Sequence, residues 1–474
     1  MTLSNRIAVI GAGPSGLASA ISAISLGFEV ELIDPWNDYA LPADHEASTA
    51  GLGQSLIAKK NFRGSYEMYQ YPLEYIFTEK KHSFPISLTR GGLSSVWGAN
   101  SISWEQASKF LGIDPLHSPV INSLKDYVSI EPSTGRDDSF TSSFLDGVIN
   151  RTQPSRVKIL PSRIAYFEDK CIRCGECLLG CKYDAIFNAS IAWETLIRTG
   201  KVKLIPGFVN RVSEKGEGVL VHYSHELLSY TREYSKIFIG CGAIASASLL
   251  MRSDLLSEQA LLSDTQVFYT GFLKKQFKAH VESNFTLAHA YASIKHKDQD
   301  VHISIYEASK EAISRAATEI KLVPKALSRI LLRWIAPGIG FIPQSESAKI
   351  FIERKRSGQL GPVEVTFSDN SFAKHYVKLL LIRNFFQFAK LGLIPLPFVI
   401  KTPNPGASYH VGVLEDAKGP IGDKGSIANL KNIFLVDSSA LSSLPSGPIT
   451  IPTMLNAGTI TMKALLEVKN DRNN

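Results

Sequence analysis

The chain has 474 residues, 44% of them hydrophobic and 20% charged, and carries a net charge of +7. These totals suit a soluble globular protein with at least two layers of packed core. They argue against nucleic-acid binding, because the positive charge is modest and is not gathered in one tail. No apolar run gives a clean bilayer span. The first strand, expected from Arg6, leaves no room for a leader, so a cytoplasmic location is expected.

An apolar run at 7–10 ends in Gly11-Ala12-Gly13-Pro14-Ser15-Gly16, followed by an Ala/Ser/Leu-rich helical stretch to about residue 26. A second strand, 29–33, ends on Asp34, one helix and one strand past Gly16. Strand, tight turn, helix, strand and acid together read as a dinucleotide-binding unit. Gly11 makes the turn, Gly13 admits a pyrophosphate, and Gly16 lets the helix pack on the strand. The helix N-terminus at Ser15 offers N–H groups and a positive dipole end to phosphates. Asp34 is placed to accept hydrogen bonds from a ribose. A glycine-rich turn of some other α/β fold is the plainer alternative, and the unit does not distinguish FAD from NAD.

Residues 35–81 read as a loop-dominated excursion. It leads to Thr89-Arg90-Gly91-Gly92-Leu93-Ser94-Ser95-Val96-Trp97-Gly98-Ala99-Asn100, where paired glycines and small hydroxyl residues suit a close approach to a flat or phosphorylated ligand. Taken alone, this stretch reads first as a surface turn before a helix. Residues 110–140 carry no clear signal.

Four of the five cysteines fall in a C-x2-C-x2-C-x3-C run, Cys171, Cys174, Cys177 and Cys181. Such crowding points to a reduced compartment and a metal site, not a disulfide framework. The spacing wraps an iron–sulfur cluster and fits zinc poorly, since structural zinc takes two separated ligand pairs. All four local thiolates as [4Fe–4S], three with a distant ligand, or three as [3Fe–4S] remain open, with the four-iron form favoured. Short strands at 202–206, 208–212 and 219–223 read as a small meander. A buried strand from Lys236 then runs into a small-residue helix across Cys241-Gly242. Cys241 reads as a small buried hydrophobe before it reads as a cluster ligand.

From about 268 to 400 the pattern changes. Strands are expected at 280–287, 301–306, 350–353 and 362–367, and helices at 310–319 and 374–391, as a separate sheet-containing domain inserted into the first. Two pieces, 321–342 and 378–400, are apolar and carry Arg329, Arg333, Lys378, Arg383 and Lys390. They read either as basic amphipathic helices in a membrane interface or as buried helices with snorkelling basic ends. Near the C-terminus, Ser408-Tyr409-His410 precedes a strand ending at Val436-Asp437, and Gly447-Pro448-Ile449-Thr450 opens a last small-residue helix. A strand ending in an acid before a helix start repeats the anion-cradling arrangement of the N-terminus.

In this order the motifs resemble the glucose–methanol–choline (GMC) oxidoreductases over nearly the whole chain, more loosely in the middle. The resemblance implies an α/β (α+β overall) fold, with a Rossmann-like FAD-binding domain at 1–265 and 405–474. The cysteine loop lies at 168–190, and an antiparallel-sheet substrate domain is inserted at 266–404. It implies FAD in an extended pose without a covalent link. The family's positions are Gly11, Gly13, Ser15, Gly16 and Asp34, then Gly92, Ser95, Gly98 and Asn100, with Gly242 and Asp437 near the phosphates and ribityl chain. Val212 stands at the adenine, and Pro448, Ile449 and Thr450 against the isoalloxazine. His410 matches the base that takes a hydroxyl proton while hydride leaves for the flavin. Gly447 stands where the family has a second His or Asn, so that partner is absent or comes from elsewhere. The cysteine run resembles the catalytic subunit of bacterial FAD-dependent sugar dehydrogenases, whose cluster passes electrons singly to an external acceptor. The expectation is therefore a cytoplasmic enzyme oxidising a sugar or other alcohol. It would have a protein or quinone acceptor, no nucleic-acid partner, and peripheral contact with the inner membrane face as an open option. A flavin/iron–sulfur electron carrier without an alcohol substrate is the second reading.

Overall fold

The computed structural model describes residues 6–36, 75–77, 87–133, 147–275, 287–307, 333–354, 363–416, 419–420, 425 and 430–473, apart from 96, 117, 153, 155, 173, 175–176, 178–180, 298, 369–370, 404 and 407–409. The helix expected at 310–319, nearly all of the strand expected at 280–287, and most of the excursion at 35–81 lie outside these residues.

The apolar strand Arg6–Ile10 is flanked by parallel strands on both sides, as its uninterrupted hydrophobic run requires. The five-stranded parallel sheet runs in the order Ile433–Leu435, Lys236–Ile239, Arg6–Ile10, Glu29–Asp34, Val202–Pro206. Helix Pro14–Ser25 starts with proline in its first turn, where a missing N–H costs nothing. It stops at Leu26-Gly27, where Gly27 takes a left-handed φ of +82°. Its buried face is built largely of Ser, Gly and Ala, so the C-terminal helix Thr450–Asn473 packs closely on it, and Ser19 Oγ meets Thr461 Oγ1 at 2.6 Å.

Val202–Pro206 is a correction to the expected meander. It pairs in parallel with Glu29–Asp34, and the meander proper is Phe208–Lys215, Gly218–His225 and Leu228–Tyr234. A short apolar strand carries no mark of which neighbour it will choose. Another departure concerns the helix expected at 374–391. It is two helices, Phe372–Arg383 and Phe385–Leu391, broken at Asn384, whose side-chain amide turns back to the Leu380 carbonyl at 2.8 Å. The apolar piece 321–342 is not helical at its end, which forms the strand Ile335–Phe341; its residues before 333 lie outside those described.

Beyond a small three-stranded sheet of Asn100–Ser101, Arg163–Ala165 and Ile130–Pro132, there are two six-stranded sheets among the described residues. One is antiparallel throughout, in the order Leu393–Pro395, Val267–Lys274, Ile335–Phe341, Val301–Ile305, Ala290–Ile294, Val157–Pro161. Its core includes Phe268, Phe272, Ile303 and Phe388. The other carries Val411–Asp416, Gln259–Asp264, Lys349–Arg354 and Val363–Phe367 between the short strands Gly419–Pro420 and Tyr75–Phe77. Mixed α/β architecture with one parallel sheet and separate, mainly antiparallel sheets is the fold class expected.

Candidate functional site

One cleft runs across the C-terminal end of the parallel sheet. Gly11, Ala12, Gly13, Pro14 and Ser15 form its floor, and Asp34, Gly92, Gly242, Asp437, Ile449 and Thr450 also line it. Residues from distant parts of the chain therefore meet, because parallel strands all deliver their C-terminal turns to the same edge.

The glycines divide the work. A Cβ on Gly16 would stand 2.1 Å from the Gly11 carbonyl oxygen, and one on Gly11, whose φ is +100°, would stand 2.7 Å from the Gly240 oxygen. Those two are fixed by backbone packing. At Gly13 the nearest atom is 3.9 Å away, so nothing among the described residues forbids a side chain there. The helix that begins after Gly13 has no side-chain cap, so its first N–H groups are left for an anion. Trp193 steadies the turn by donating from its indole to the Ala12 carbonyl at 2.9 Å.

Asp34 is buried at the end of its strand and accepts the Ala12 and Trp36 N–H groups, each at 2.8 Å. Burial pushes its carboxyl up to about 6. Asp437 is buried as well and gathers the Gly242 and Ser439 N–H groups with the Ser246 and Ser439 hydroxyls. Its pKa is raised, again by burial, with those donors pulling the other way.

Ser95, Gly98 and Asn100 surround the cleft without lining it. Ser95 donates to the Gly92 carbonyl at 2.7 Å. Gly98 precedes Ala99, whose carbonyl receives the Ala165 N–H at 2.8 Å. Asn100 donates to the Ser304 hydroxyl and has a buried amide oxygen without a hydrogen-bond partner among the described residues. Gly16 and Pro448 are buried and do not line the cleft. Val212 is fully buried and bonded to Ser253, away from the lining. The far end is built instead by Gly207, Phe208, Val209 and Arg252, with the Arg252 guanidinium 5.9 Å over the Phe208 ring. Sequence reasoning missed these residues, and it named Trp97 of the lining within the 89–100 stretch without giving it a role. A strand starting immediately after Pro206-Gly207 was the signal for Phe208 and Val209.

His410 immediately precedes Val411, a residue of the cleft wall, and is buried against the Phe341 ring, 4.7 Å between centroids. Gly447 brings no side chain, and the space above it is filled by His302 from the strand Val301–Ile305. A Cβ on Gly447 would be 3.2 Å from His302 Cβ. The His302 N–H donates to the Ser446 carbonyl at 2.9 Å, while Gln299 Oε1 accepts from the Ser446 N–H and hydroxyl. Tyr291 stacks on the His302 ring at 4.4 Å, Phe341 abuts it at 5.9 Å, and Nε2 meets Ser304 Oγ at 3.1 Å. His302, Ser304 and Asn100 thus form one chain of polar contacts. Burial depresses both imidazoles to about 3, and His302 also feels the charge of His410.

The four clustered cysteines line a second, small and mostly apolar cavity with Tyr166, Ile172, Tyr183, Ala185, Ile186 and Leu287. Cys181 Sγ accepts the Ala185 N–H at 3.3 Å. Among the described residues no three of His, Cys, Asp or Glu stand together as a set for one metal ion. Cys241 is not in this cavity. It lines the main cleft and points its thiol at the Ile10 carbonyl, 3.5 Å away, with burial and the nearby Asp437 and Asp34 raising its pKa. The cysteine loop is anchored close to the cleft wall. Phe187 receives the Trp97 indole N–H on its carbonyl at 2.8 Å and donates its own N–H to the Ala165 carbonyl at 2.9 Å. The Trp97 and Phe187 rings meet edge to face at 6.0 Å.

Among solved structures, the fold is similar to that of pyridoxine 4-oxidase from Mesorbium loti, with a TM-score of 0.60 across 97% of this chain and 98% of that one, at 13% sequence identity. No family model matches the sequence, and no curated protein matches it.

Proposed function

We propose that the chain is an FAD-dependent oxidoreductase that oxidises a hydroxyl group of a sugar or other alcohol and passes the electrons on through an iron–sulfur cluster. The observation that carries this reading is the cleft in which an uncapped helix start and an open Gly13 meet Asp34, Asp437, Ile449 and Thr450, with His410 next in the chain to Val411 of its wall and packed, like His302, against the Phe341 ring. The glycine turn and the buried Asp34 suit a pyrophosphate and an adenosine ribose, the Phe208–Arg252 end suits an adenine, and Ile449 and Thr450 suit a flat ring. The orphaned Asn100 amide oxygen is a ready acceptor for a donor on a bound group. When bound there, FAD supplies a two-electron acceptor for the hydride of a C–H beside the hydroxyl.

The chain's own part is to hold the alcohol and take its proton. His410, whose imidazole burial keeps neutral above about pH 3, takes the hydroxyl proton. His302, also neutral, takes the second position beside the hydroxyl that Gly447 leaves open. Ser304 fixes its ring through Nε2, and Tyr291 fixes its plane. Both imidazoles lie among apolar rings that keep bulk water from competing for the proton.

Cys171, Cys174, Cys177 and Cys181 would hold the cluster, which supplies one-electron steps between the flavin and an external protein or quinone acceptor. They share one small, mostly apolar cavity, and their C-x2-C-x2-C-x3-C spacing suits a cluster better than zinc. The Trp97–Phe187 contact ties this loop to the cleft wall. The pyridoxine 4-oxidase name supports oxidation on this fold without choosing the substrate. An anaerobic visible spectrum of the purified protein, before and after a panel of sugars, alcohols and pyridoxine, tests the reading. Flavin bands bleached by one hydroxyl donor are expected, and bands that no donor alters would leave the electron-carrier reading in its place.

A further inference from the structure

The helices Phe372–Arg383 and Phe385–Leu391 and the strand and turn after them form an outward face of unusual chemistry. Their inner side is ordinary. Ala373, Val377, Leu380 and Leu381 fall at helical spacing and are buried, and Phe388, Leu391 and Leu393 continue that core. The outer side is not. Phe372, Phe386 and Phe398 are 78%, 77% and 79% exposed, and Ile382 and Val399 are about half exposed. Three large aromatic side chains this open between positions 372 and 398 exceed the scatter of single apolar residues normal on a surface.

The charge around them has one sign. Lys374, Lys378, Arg383, Lys390 and Lys401 lie in this stretch, and no Asp or Glu occurs from 372 to 401. This one short stretch therefore holds five cations and no acid of its own, beside a net charge of +7 for the whole chain. Lys374, Lys378 and Ile382 follow one another at four-residue spacing along the exposed side of the first helix. Glu346, which reaches the neighbourhood of Tyr376 and Arg383, is held by Lys297 at 2.7 Å. The face sits at an edge of the antiparallel sheet, since Leu393–Pro395 is its last strand and pairs only with Val267–Lys274 among the described residues. Tyr269 and Leu273 of that neighbouring strand are themselves partly open, and Tyr269 bridges to Lys401.

We propose that this face docks the protein on an anionic lipid surface. Phenylalanines that stand out singly among lysines insert into the headgroup boundary, while the cations find lipid phosphates. A second copy of the chain is a poor occupant, because a two-fold contact would set five cations against five. No helix among the described residues is long and apolar enough to cross a membrane, so the attachment proposed is peripheral. This inference is independent of the catalytic reading.

The test is flotation of the full chain, loaded with its cofactors, with vesicles of phosphatidylcholine alone or mixed with phosphatidylglycerol, at low and high salt. Binding to the anionic vesicles alone, released by salt, is expected. Each basic side chain near such a surface strengthens partition about fivefold, so K374Q/K378Q/K390Q should weaken it on the order of 100-fold. F372S/F386S/F398S should abolish flotation, with the circular dichroism and visible spectra unchanged to show that it folds. Absence of binding to anionic vesicles, or full binding by both variants, overturns the proposal. A fall in solution mass for the phenylalanine variant, without vesicle binding by the parent, overturns it in favour of self-association.

Discussion

His302 lies directly over Gly447, joined to its neighbour by the hydrogen bond from the His302 N–H to the Ser446 carbonyl. Two segments far apart in the chain thus build one wall, and the missing side chain at one position is the space for the ring at the other. Substituting Gly447→Asn should push the His302 ring out of its stack with Tyr291. The expected result is a fall in kcat with a changed pH profile, whereas Gly447→Ala, which asks His302 to shift by a few tenths of an ångström, should cost only about 1 kcal/mol of stability. Normal kinetics in Gly447→Asn would remove His302 from the site.

His410→Ala should lower turnover with an artificial acceptor by roughly 10²–10⁴-fold, the range for losing a positioned proton acceptor, while leaving the flavin spectrum intact. Undiminished turnover would exclude His410 as the base.

The two glycines of the turn should fail differently. Gly16→Ala places its Cβ 2.1 Å from a backbone oxygen, so it should lower the melting temperature of apoprotein and holoprotein alike. Gly13→Ala meets nothing closer than 3.9 Å and should leave the apoprotein's melting temperature unchanged while weakening FAD binding. Differential scanning with and without added FAD separates the two. Equal FAD affinity in Gly13→Ala would place the pyrophosphate elsewhere.

Iron and acid-labile sulfide should be lost on Cys177→Ser and retained on Cys241→Ser, since only the former lines the cysteine cavity. Retention of both in Cys177→Ser would point to ligation without that sulfur.

The buried imidazole at 302 has a folded pKa of about 3 against 6.5 unfolded. Between those values the unfolded chain binds the extra proton, so this contribution is whole above about pH 6.5 and is lost as pH falls toward 3. Asp34, raised from 3.8 to about 6, acts with the opposite sign, its contribution shrinking as pH rises through that window. The whole protein's slope therefore mixes signs, and the informative quantity is the difference between parent and His302→Gln. Urea unfolding at pH 7, 6 and 5 should show the parent losing stability relative to the variant, with a slope that approaches about 1.4 kcal/mol per pH unit on the acid side. A constant difference would mean that His302 is not buried in neutral form.

The legible parts of this molecule were those whose physics is local. Gly11, Gly13 and Gly16 announce a turn because backbone clearance depends on residues a few positions away, and Asp437 before a small-residue helix speaks in the same way. The role of Gly447 was legible only as a gap. What fills it comes from a strand in another sheet, and nothing near residue 302 says so. The cleft residues Phe208 and Val209 were hidden for a related reason: Val202–Pro206 chose a parallel partner and carried the chain that follows it to the cleft. Val212 fitted by position but faces the core beside Ser253. The two helices at 372–391 read as one because apolar spacing runs on through Asn384, whose side chain interrupts the backbone ladder.

The strand Val157–Pro161 precedes the cysteine loop in the chain, whereas every other strand of the all-antiparallel sheet follows it. Separate stretches of chain therefore cross between the parallel sheet and this one, and Gln299 clasps Ser446 across the seam. A structure sewn in this way resists hinging. Under the function proposed above, access to the cleft is then governed by the side chains along its walls more than by a swing of one sheet against the other.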